Sequence, residues 1–283
     1  MKQIKKLFFA LTALLVCALF TIQVGAAVPY ECYTYSTSTG SATAEYSPVP
    51  YTPEEYIDRS TLGVPLLQPK DMCFDSKGNL YIVDAGTSSI LVLDQNYKLI
   101  KKVDSFDSSD GLLDFFASPE GIFVSDSGDI YVADTNQKRI VILDENFKCK
   151  KIIKDVVPVN ASADEYVFLP IKVGADSSGN IYVIARNENS GILQLDSDGK
   201  FISFVGSNKV AVNPVIKLWK KFMSKEQRAK LEQFVPIEYT NMAFDDDDFI
   251  YAVSKSTDTD TPIKRLNLAG KDVLTRNGYV DIV

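Results

Sequence analysis

The chain has 283 residues, a formal net charge of −7 and no histidine. The lack of imidazole excludes Ser-His-Asp and Cys-His catalysis, as well as histidine-ligated zinc or iron sites. The excess of acidic over basic side chains argues against nucleic-acid binding, because phosphates require a basic footprint. An enzyme would have to use carboxylates, Lys, Tyr, Ser or an oxygen-bound cation, so a non-catalytic protein is favoured.

Residues 1–26 are predicted to be a secretory signal peptide. Three lysines form a positive start, residues 7–22 form an apolar core, and a cleavage site follows at Ala26. This core is shorter than the ~20 residues that a membrane-spanning helix usually needs. Cleavage would remove the three lysines and change the formal charge from −7 to −10. We therefore expect an exported protein, secreted or held at the cell surface, with no transmembrane span after cleavage.

Residues 27–65 are predicted to form a Tyr-, Ser- and Pro-rich N-terminal arm, in which YECYTYS alternates like a strand that could pair with a blade of the following domain. The mature chain would keep Cys32, Cys73 and Cys149. This odd number without close spacing argues against a disulfide framework or a zinc site. A single disulfide among the three stays open.

Four copies of a repeat follow, at approximately residues 66–106, 116–156, 168–208 and 234–283. Prolines begin three of them at intervals of 50 and 51 residues, and a tyrosine follows each proline by 12 positions. These tyrosines are Tyr81, Tyr131 and Tyr182, and the fourth, looser copy carries Tyr251. Each copy has the pattern of four short strands separated by polar turns. Repeats of this length and pattern predict an all-β fold, a β-propeller.

The second copy contains GDIYVADTNQKRIVILDENFK, which resembles an NHL repeat. The matching positions include Gly128, Tyr131, Asp134, Asn136 and Arg139; the first copy keeps Gly78, Tyr81 and Asp84, and the third keeps Gly179 and Tyr182 with Arg186 in place of the Asp. The resemblance implies a propeller of the six-bladed TolB-like and gluconolactonase-like superfamily, here with only about four repeats.

The number of blades is a separate question, because the chain ends at Val283, just before a fifth repeat would begin. The four repeats could close as a four-bladed ring, form an open arc, or be the front part of a longer ancestor. We favour an incomplete six-bladed propeller over a closed four-bladed ring. Open blade edges carry unpaired backbone groups, so self-association or completion by another chain is a further expectation.

Residues 213–234 are predicted to form a helical insertion before the last repeat. Val215, Trp219 and Phe222 share its apolar face. The polar face is basic and includes Lys217, Lys220 and Lys221. Two interpretations stay open: the insertion packs on the propeller with its lysines in solvent, or it docks an anionic envelope polymer, a membrane surface or a partner.

Residues that follow the proline of each repeat enter the innermost strand, close to the axis where propellers bind ligands. The candidate ligand residues are Lys70, Asp71, Glu120, Lys172 and Glu238. Glu120-Gly121 faintly resembles the Glu-Gly pair with which gluconolactonase-like propellers help to hold a divalent cation, and Ca²⁺ would suit such oxygen ligands. Because Lys70 and Lys172 oppose a cation, we predict no cofactor and no metal, with Glu120 as a weak candidate.

Two acidic features have structural explanations. Asp134 and Arg139 can pair across a hairpin turn. The run Asp245–Asp248 aligns with the turns DSKG, SDSG and DSSG of the other copies, which places it between the first two strands of the last blade. Asp248 would then take the left-handed position of the aligned glycines. A loose calcium contact at this turn stays open, but a catalytic role is not predicted.

Two functions follow from these observations. The first is an exported, non-catalytic scaffold that binds a protein, peptide or glycan at the cell envelope. The second is a cation-dependent hydrolase or lyase of the gluconolactonase-like type, with Glu120 foremost in an acidic funnel. The absent histidine and the small number of blades favour the first.

Overall fold

The computed structural model describes residues 33–36, 43–46, 56–108, 110–159, 161–162, 164–206, 238–254 and 263–274. The predicted signal peptide, Cys32 and the predicted insertion 213–234 with Trp219 and its lysines lie outside these residues. No helix within the described ranges is long and apolar enough to cross a membrane.

The chain divides into two compact units, Met1–Tyr56 and Ile57–Val283. In the first unit, β1 (Tyr33–Ser36) pairs antiparallel with β2 (Thr43–Tyr46). The predicted strand in YECYTYS therefore exists, and its partner is β2.

The second unit begins with a short helix, α1 (Arg59–Leu62), whose N-terminus is capped by Asp58. The Asp58 side chain accepts from the backbone N–H groups of Ser60 and Thr61, which satisfies donors that have no partner in the first turn. Residues 57–66 then pack apolar side chains on the first blade. The end of the predicted arm is thus a packed segment of the second unit.

Four small antiparallel sheets form a propeller-like arrangement, as the repeats predict. Blade 1 consists of β3 (Pro69–Phe74), β4 (Leu80–Asp84), β5 (Ser89–Leu93) and β6 (Leu99–Val103). Blade 2 consists of β9 (Gly121–Val124), β10 (Ile130–Asp134), β11 (Arg139–Leu143) and β12 (Cys149–Lys154), and blade 3 of β13 (Pro170–Ala175), β14 (Ile181–Ala185), β15 (Ile192–Leu195) and β16 (Phe201–Val205). Within the described residues, blade 4 consists of β17 (Tyr239–Phe244), β18 (Ile250–Ser254) and β19 (Ile263–Leu266). The first strands contact one another in the order β3, β9, β13 and β17, which makes them the inner strands.

The chain between blades 1 and 2 forms a hairpin that the repeat pattern did not predict. It consists of β7 (Ser105–Asp107) and β8 (Leu113–Phe115). A two-stranded hairpin is marginally stable alone, so this one depends on its contacts with blade 2.

The blades pack face to face, and the repeated tyrosine marks the direction of packing. Tyr81 lies in the core between blades 1 and 2, Tyr131 in the core between blades 2 and 3, and Tyr182 in the core between blades 3 and 4. The residue before the tyrosine faces the other way: Ile130 and Ile181 pack on the preceding blade, and Leu80 of blade 1 packs on residues 57–66. We call these two sides of a blade its forward face and its backward face.

Side-chain size alternates where neighbouring inner strands meet. Phe123 of blade 2 shares a core with the small Ala175 of blade 3. Gly174 faces Phe244 of blade 4 so closely that a Cβ on Gly174 would lie 2.3 Å from the phenyl ring. Because interiors are close-packed, a large residue on one blade requires a small one opposite.

The four aspartates form a turn, as predicted. The N–H of Asp248 donates to the carbonyl of Asp245, and Asp248 has a left-handed φ of 62°. The Asp245 carboxylate accepts from the Phe249 N–H and pairs with Arg265 at 2.8 Å. Asp248 accepts from the backbone and the hydroxyl of Ser177 in blade 3. Two of the four carboxylates are therefore engaged in structural contacts.

Candidate functional site at the linker end

One end of the propeller carries both the linkers between blades and the turns between second and third strands. The antiparallel register shows this, because the first residue of an inner strand lies opposite the last residue of the second strand: Pro69 opposite Asp84, and Pro170 opposite Ala185. Each inner strand thus begins where the second strand ends. We call this end the linker end; a ligand that binds near the axis here would meet the start of each inner strand.

The candidate residues of blades 1 and 3 come together at the axis as an ion pair. Lys172 Nζ lies 2.6 Å from Asp71 Oδ1 and 3.3 Å from the carbonyl oxygen of Lys70. The other oxygen of Asp71 accepts from the N–H of Ile122 in blade 2 at 3.1 Å. Both charged side chains are about 15% exposed. This pair joins three blades, and Asp71 directs both its oxygens to protein groups.

A second ion pair joins blades 2 and 3. Both oxygens of Glu120 accept from the guanidinium of Arg186, at 2.8 and 2.7 Å. Arg186 follows β14 directly, one position after Ala185, and Ala185 is the residue that aligns with the repeat aspartates in the register of the strands. Sequence reasoning recorded this departure but not the pairing, because the partner lies 66 positions away in another blade. The fifth candidate, Glu238, is exposed and directly precedes β17.

The geometry of these pairs is unlike that of a cation site. A divalent cation requires several oxygen ligands directed at one point, whereas the carboxylates of Asp71 and Glu120 each face a basic side chain. Among the described residues, no three His, Cys, Asp or Glu side chains are grouped so that they could hold a metal ion.

The repeat aspartates fasten the linkers to the turns at this end. The buried carboxylate of Asp84 accepts from the backbone N–H of Leu67 and from the hydroxyl of Thr87. Burial opposes its ionisation, but these hydrogen bonds outweigh burial and lower the pKa of Asp84. In blade 2, Asp134 accepts from the N–H of Ala117 at 2.7 Å. Each of these aspartates thereby holds the chain where it enters its own blade.

Asp134 and Arg139 pair across their turn, as predicted, at 2.8 Å. Arg139 also donates to both oxygens of Asp114 and to the carbonyl of Phe115, so one guanidinium fixes hairpin β7–β8 to blade 2. This hydrogen bond to Arg139 lowers the pKa of Asp114. Burial raises the pKa of Asp134, although the Ala117 N–H and the Arg139 guanidinium both donate to its carboxylate and act to lower this pKa. The link to Asp114 was missed because no pattern in the sequence indicates the hairpin.

Large apolar side chains are exposed at the linker end. They are Leu67, Leu112, Leu113, Phe115, Val159 and Val167. Leu112 and Leu113, in the hairpin, are 67% and 60% exposed. The hydrogen bonds from the Arg139 guanidinium to Asp114 and Phe115 hold this hairpin in one position. A fixed loop that exposes apolar side chains is typical of a binding surface.

The family model of the NHL repeat matches residues 116–143. The chain carries an NHL repeat. The match covers the copy in which the sequence pattern is strongest, and it agrees with the propeller-like arrangement of the four sheets. No curated protein matches the chain.

Solved structures are similar at the level of fold. A protein of unknown function from Bacteroides caccae is 20% identical, with a TM-score of 0.36 and 46% of each chain covered. The extracellular domain of the one-component system BT4673 from B. thetaiotaomicron is 12% identical, with a TM-score of 0.43, 83% of this chain covered and 26% of that one. Virginiamycin B lyase from Staphylococcus aureus is 12% identical, with a TM-score of 0.42 and coverages of 75% and 70%. The chain spans less than half the length of the first two, and at these scores none bears on its activity.

Proposed function

We propose that this protein is an exported, non-catalytic binding module that docks a protein or peptide on its linker end. The observation that carries the proposal is the hairpin β7–β8, which exposes Leu112, Leu113 and Phe115 while Arg139 holds it in place. Exposed apolar anchors on a fixed support lose little conformational entropy on binding, and such anchors dominate the energy of many interfaces.

The two axial ion pairs support a binding role over a catalytic one. A general acid or base needs a carboxyl group that can reach the substrate, but both oxygens of Glu120 accept from Arg186. The same groups suit the polar part of an interface, where charges orient a partner. The apolar character of the hairpin favours a protein or peptide over a glycan.

The proposal is tested with a random peptide library selected on the immobilised protein. The matched variants are Leu113→Asp on the hairpin and Ile100→Asp on β6, since both residues are well exposed, at 60% and 57%. We expect selected peptides to be rich in apolar residues and to bind the native protein and Ile100→Asp with equal affinity. Their affinity for Leu113→Asp should fall at least tenfold, as for the loss of an anchor worth more than about 1.4 kcal/mol.

Failure to select any peptide, or equal binding to both variants, would refute a peptide-binding site on hairpin β7–β8. Binding of oligosaccharides on a glycan array, lost in Leu113→Asp, would instead assign the surface to a glycan. Export is tested separately by expressing the full chain and measuring the mass of the mature N-terminus. A mature chain that begins at Ala27 supports it, and retention of residues 1–26 in the cytoplasm contradicts it.

A further inference from the structure

Each terminal blade leaves one apolar face uncovered. On the forward face of blade 4, Tyr251, Val253 and Ile263 are 36%, 37% and 52% exposed. They form one patch, because Tyr251 and Val253 are two positions apart on β18 and Val253 lies opposite Ile263 on β19. On the backward face of blade 1, Met72 and Phe74 of the inner strand β3 are 65% and 55% exposed. Grouped apolar exposure of this kind is typical of an interaction surface.

Both faces have buried counterparts in the same chain. The tyrosines that align with Tyr251 in blades 1, 2 and 3 are at most 8% exposed, because the following blade covers each of them. The residues that align with Phe74 in blades 2 and 3, Val124 and Ala175, are 8% and 7% exposed. In every described junction between blades, a forward face is thus covered by a backward face. The exposure of the two terminal faces shows that, within one copy of the chain, they do not cover each other.

The junction between blades 3 and 4 shows how these two positions meet. The ring of Tyr182, on the forward face of blade 3, lies 5.4 Å from the ring of Phe244, on the backward face of blade 4. Tyr182 aligns with Tyr251. Phe244 aligns with Phe74, because each lies opposite the first residue of the second strand of its blade. Aromatic pairs at this distance stabilise a contact beyond the area that they bury. The chain therefore carries, on its two terminal blades, both halves of a junction that it already forms internally.

We propose that a second copy of this chain occupies these faces, with the forward face of blade 4 of one copy packed on the backward face of blade 1 of the other. Tyr251 of one copy then contacts Phe74 of the other, as Tyr182 contacts Phe244. Because the contact is head-to-tail, forming it twice joins two copies in a closed ring. Four described blades in each copy give a ring of eight, and propellers typically have about four to eight blades. A third copy would exceed that range.

The segment that caps blade 1 leaves its inner strand free for this contact. Residues 57–66 pack on Leu80 and Leu91, in the second and third strands. Met72 and Phe74, in the first strand, stay exposed. The charge nearest to Tyr251 on blade 4 does not oppose the contact either. Arg265, which lies opposite Tyr251 in the register, pairs with Asp245 of the same blade at 2.8 Å. This guanidinium therefore has its counter-charge before a second copy binds.

The oligomeric state of the full chain tests the proposal. In sedimentation velocity we expect a dimer that dissociates on dilution. Phe74→Asp and Tyr251→Asp, one on each face, should each raise the dissociation constant about tenfold or more, because each places a charge in the centre of an apolar contact. Ile100→Asp, on the outer strand of blade 1 and 57% exposed, is the control and should leave the dissociation constant unchanged.

Cross-linking tests the head-to-tail direction of the contact without introducing a charge. In an equimolar mixture of Phe74→Cys and Tyr251→Cys, a short bismaleimide should link one copy of each variant. Neither variant alone should form a linked dimer, because its own new cysteine faces the native residue of the other copy. The native chain is the control for its own cysteines, of which Cys149 is buried and Cys73 is half-buried.

A monomer at every concentration measured would overturn the proposal. So would a dimer that Tyr251→Asp dissociates and Phe74→Asp leaves intact, because such a dimer packs blade 4 on blade 4. Open polymers in place of a dimer would refute the two-copy ring. A link within a single chain of the double variant Phe74→Cys, Tyr251→Cys, with no dimer, would assign the two faces to a four-bladed ring instead.

Discussion

Removal of the Arg139 guanidinium tests the account of how hairpin β7–β8 is held. Arg139→Met keeps the length of the side chain but deletes the bonds to Asp134, Asp114 and the Phe115 carbonyl. Asp134 has no exposed surface and would keep one described donor, the Ala117 N–H. Removing one partner of a buried pair typically costs about 3–5 kcal/mol, because the other charge stays buried without compensation.

The expected loss is large enough to measure by denaturant and thermal unfolding. A loss of about 3–5 kcal/mol lowers the Tm of a domain of this size by about 6–20 °C. Arg186→Met is the matched control, since it removes a guanidinium that is 44% exposed and paired with Glu120. Such a pair contributes about 0–1 kcal/mol. The double variant Asp134→Asn, Arg139→Met should recover part of the loss, because no buried charge remains unpaired.

The pH dependence gives an independent check. Burial raises the folded pKa of Asp134, so this group contributes stability at low pH that is lost as pH rises. Without Arg139 the pKa of Asp134 should rise further. The difference in free energy of unfolding between the native protein and Arg139→Met should therefore be smaller at pH 5 than at pH 7. A loss equal to that of Arg186→Met at every pH would refute the buried-pair reasoning.

Three further predictions concern other contacts. Gly174→Ala should cost about 1–3 kcal/mol through overpacking against Phe244, and a double-mutant cycle with Phe244→Leu should be non-additive; additivity would show that the two do not touch. Hydrogen bonds lower the pKa of Asp84, so the ionised carboxylate stabilises the fold above the unfolded pKa of about 3.9. Asp84→Asn should therefore be less stable than the native protein at pH 7 and should lose less free energy of unfolding between pH 5 and pH 3. Parallel curves of unfolding free energy against pH for the two proteins would contradict this. Burial and the charge of Asp71 raise the pKa of Cys73 to about 12, so iodoacetamide should label it only in denaturant; rapid labelling of the native protein would be inconsistent with the packing.

The blades were predictable because their signals are local. Three such signals lie within one repeat: the interval from proline to tyrosine, the aspartates of the turns, and the Asp134–Arg139 pair. All are present in the structure. A left-handed residue was also predictable at Asp248, since the aligned copies have glycine there. Short-range spacing thus specifies each blade without knowledge of its neighbours.

The contacts between blades were less predictable, because they join distant positions. Asp71 was recognised as an axial candidate, but its pairing with Lys172 across about a hundred residues was not. Hairpin β7–β8 departs from the repeat and has no counterpart among the described residues of the other copies. The binding surface proposed for it could be found only once Arg139 was seen to hold the hairpin. Exposure of an apolar side chain depends on what the rest of the chain covers, which spacing does not encode.

The alternating sizes at the inner strands also determine the order of the blades. Phe123 fits against Ala175, and Gly174 fits against Phe244. If blades 3 and 4 exchanged places, the room that Gly174 leaves for the Phe244 ring would be empty, and the contact between the rings of Phe123 and Phe244 would change. Repeats that share one backbone pattern are therefore not interchangeable parts. Duplicating or transplanting a single blade would require a matching change in each neighbour, so this propeller can lengthen or recombine only by altering both sides of a junction together.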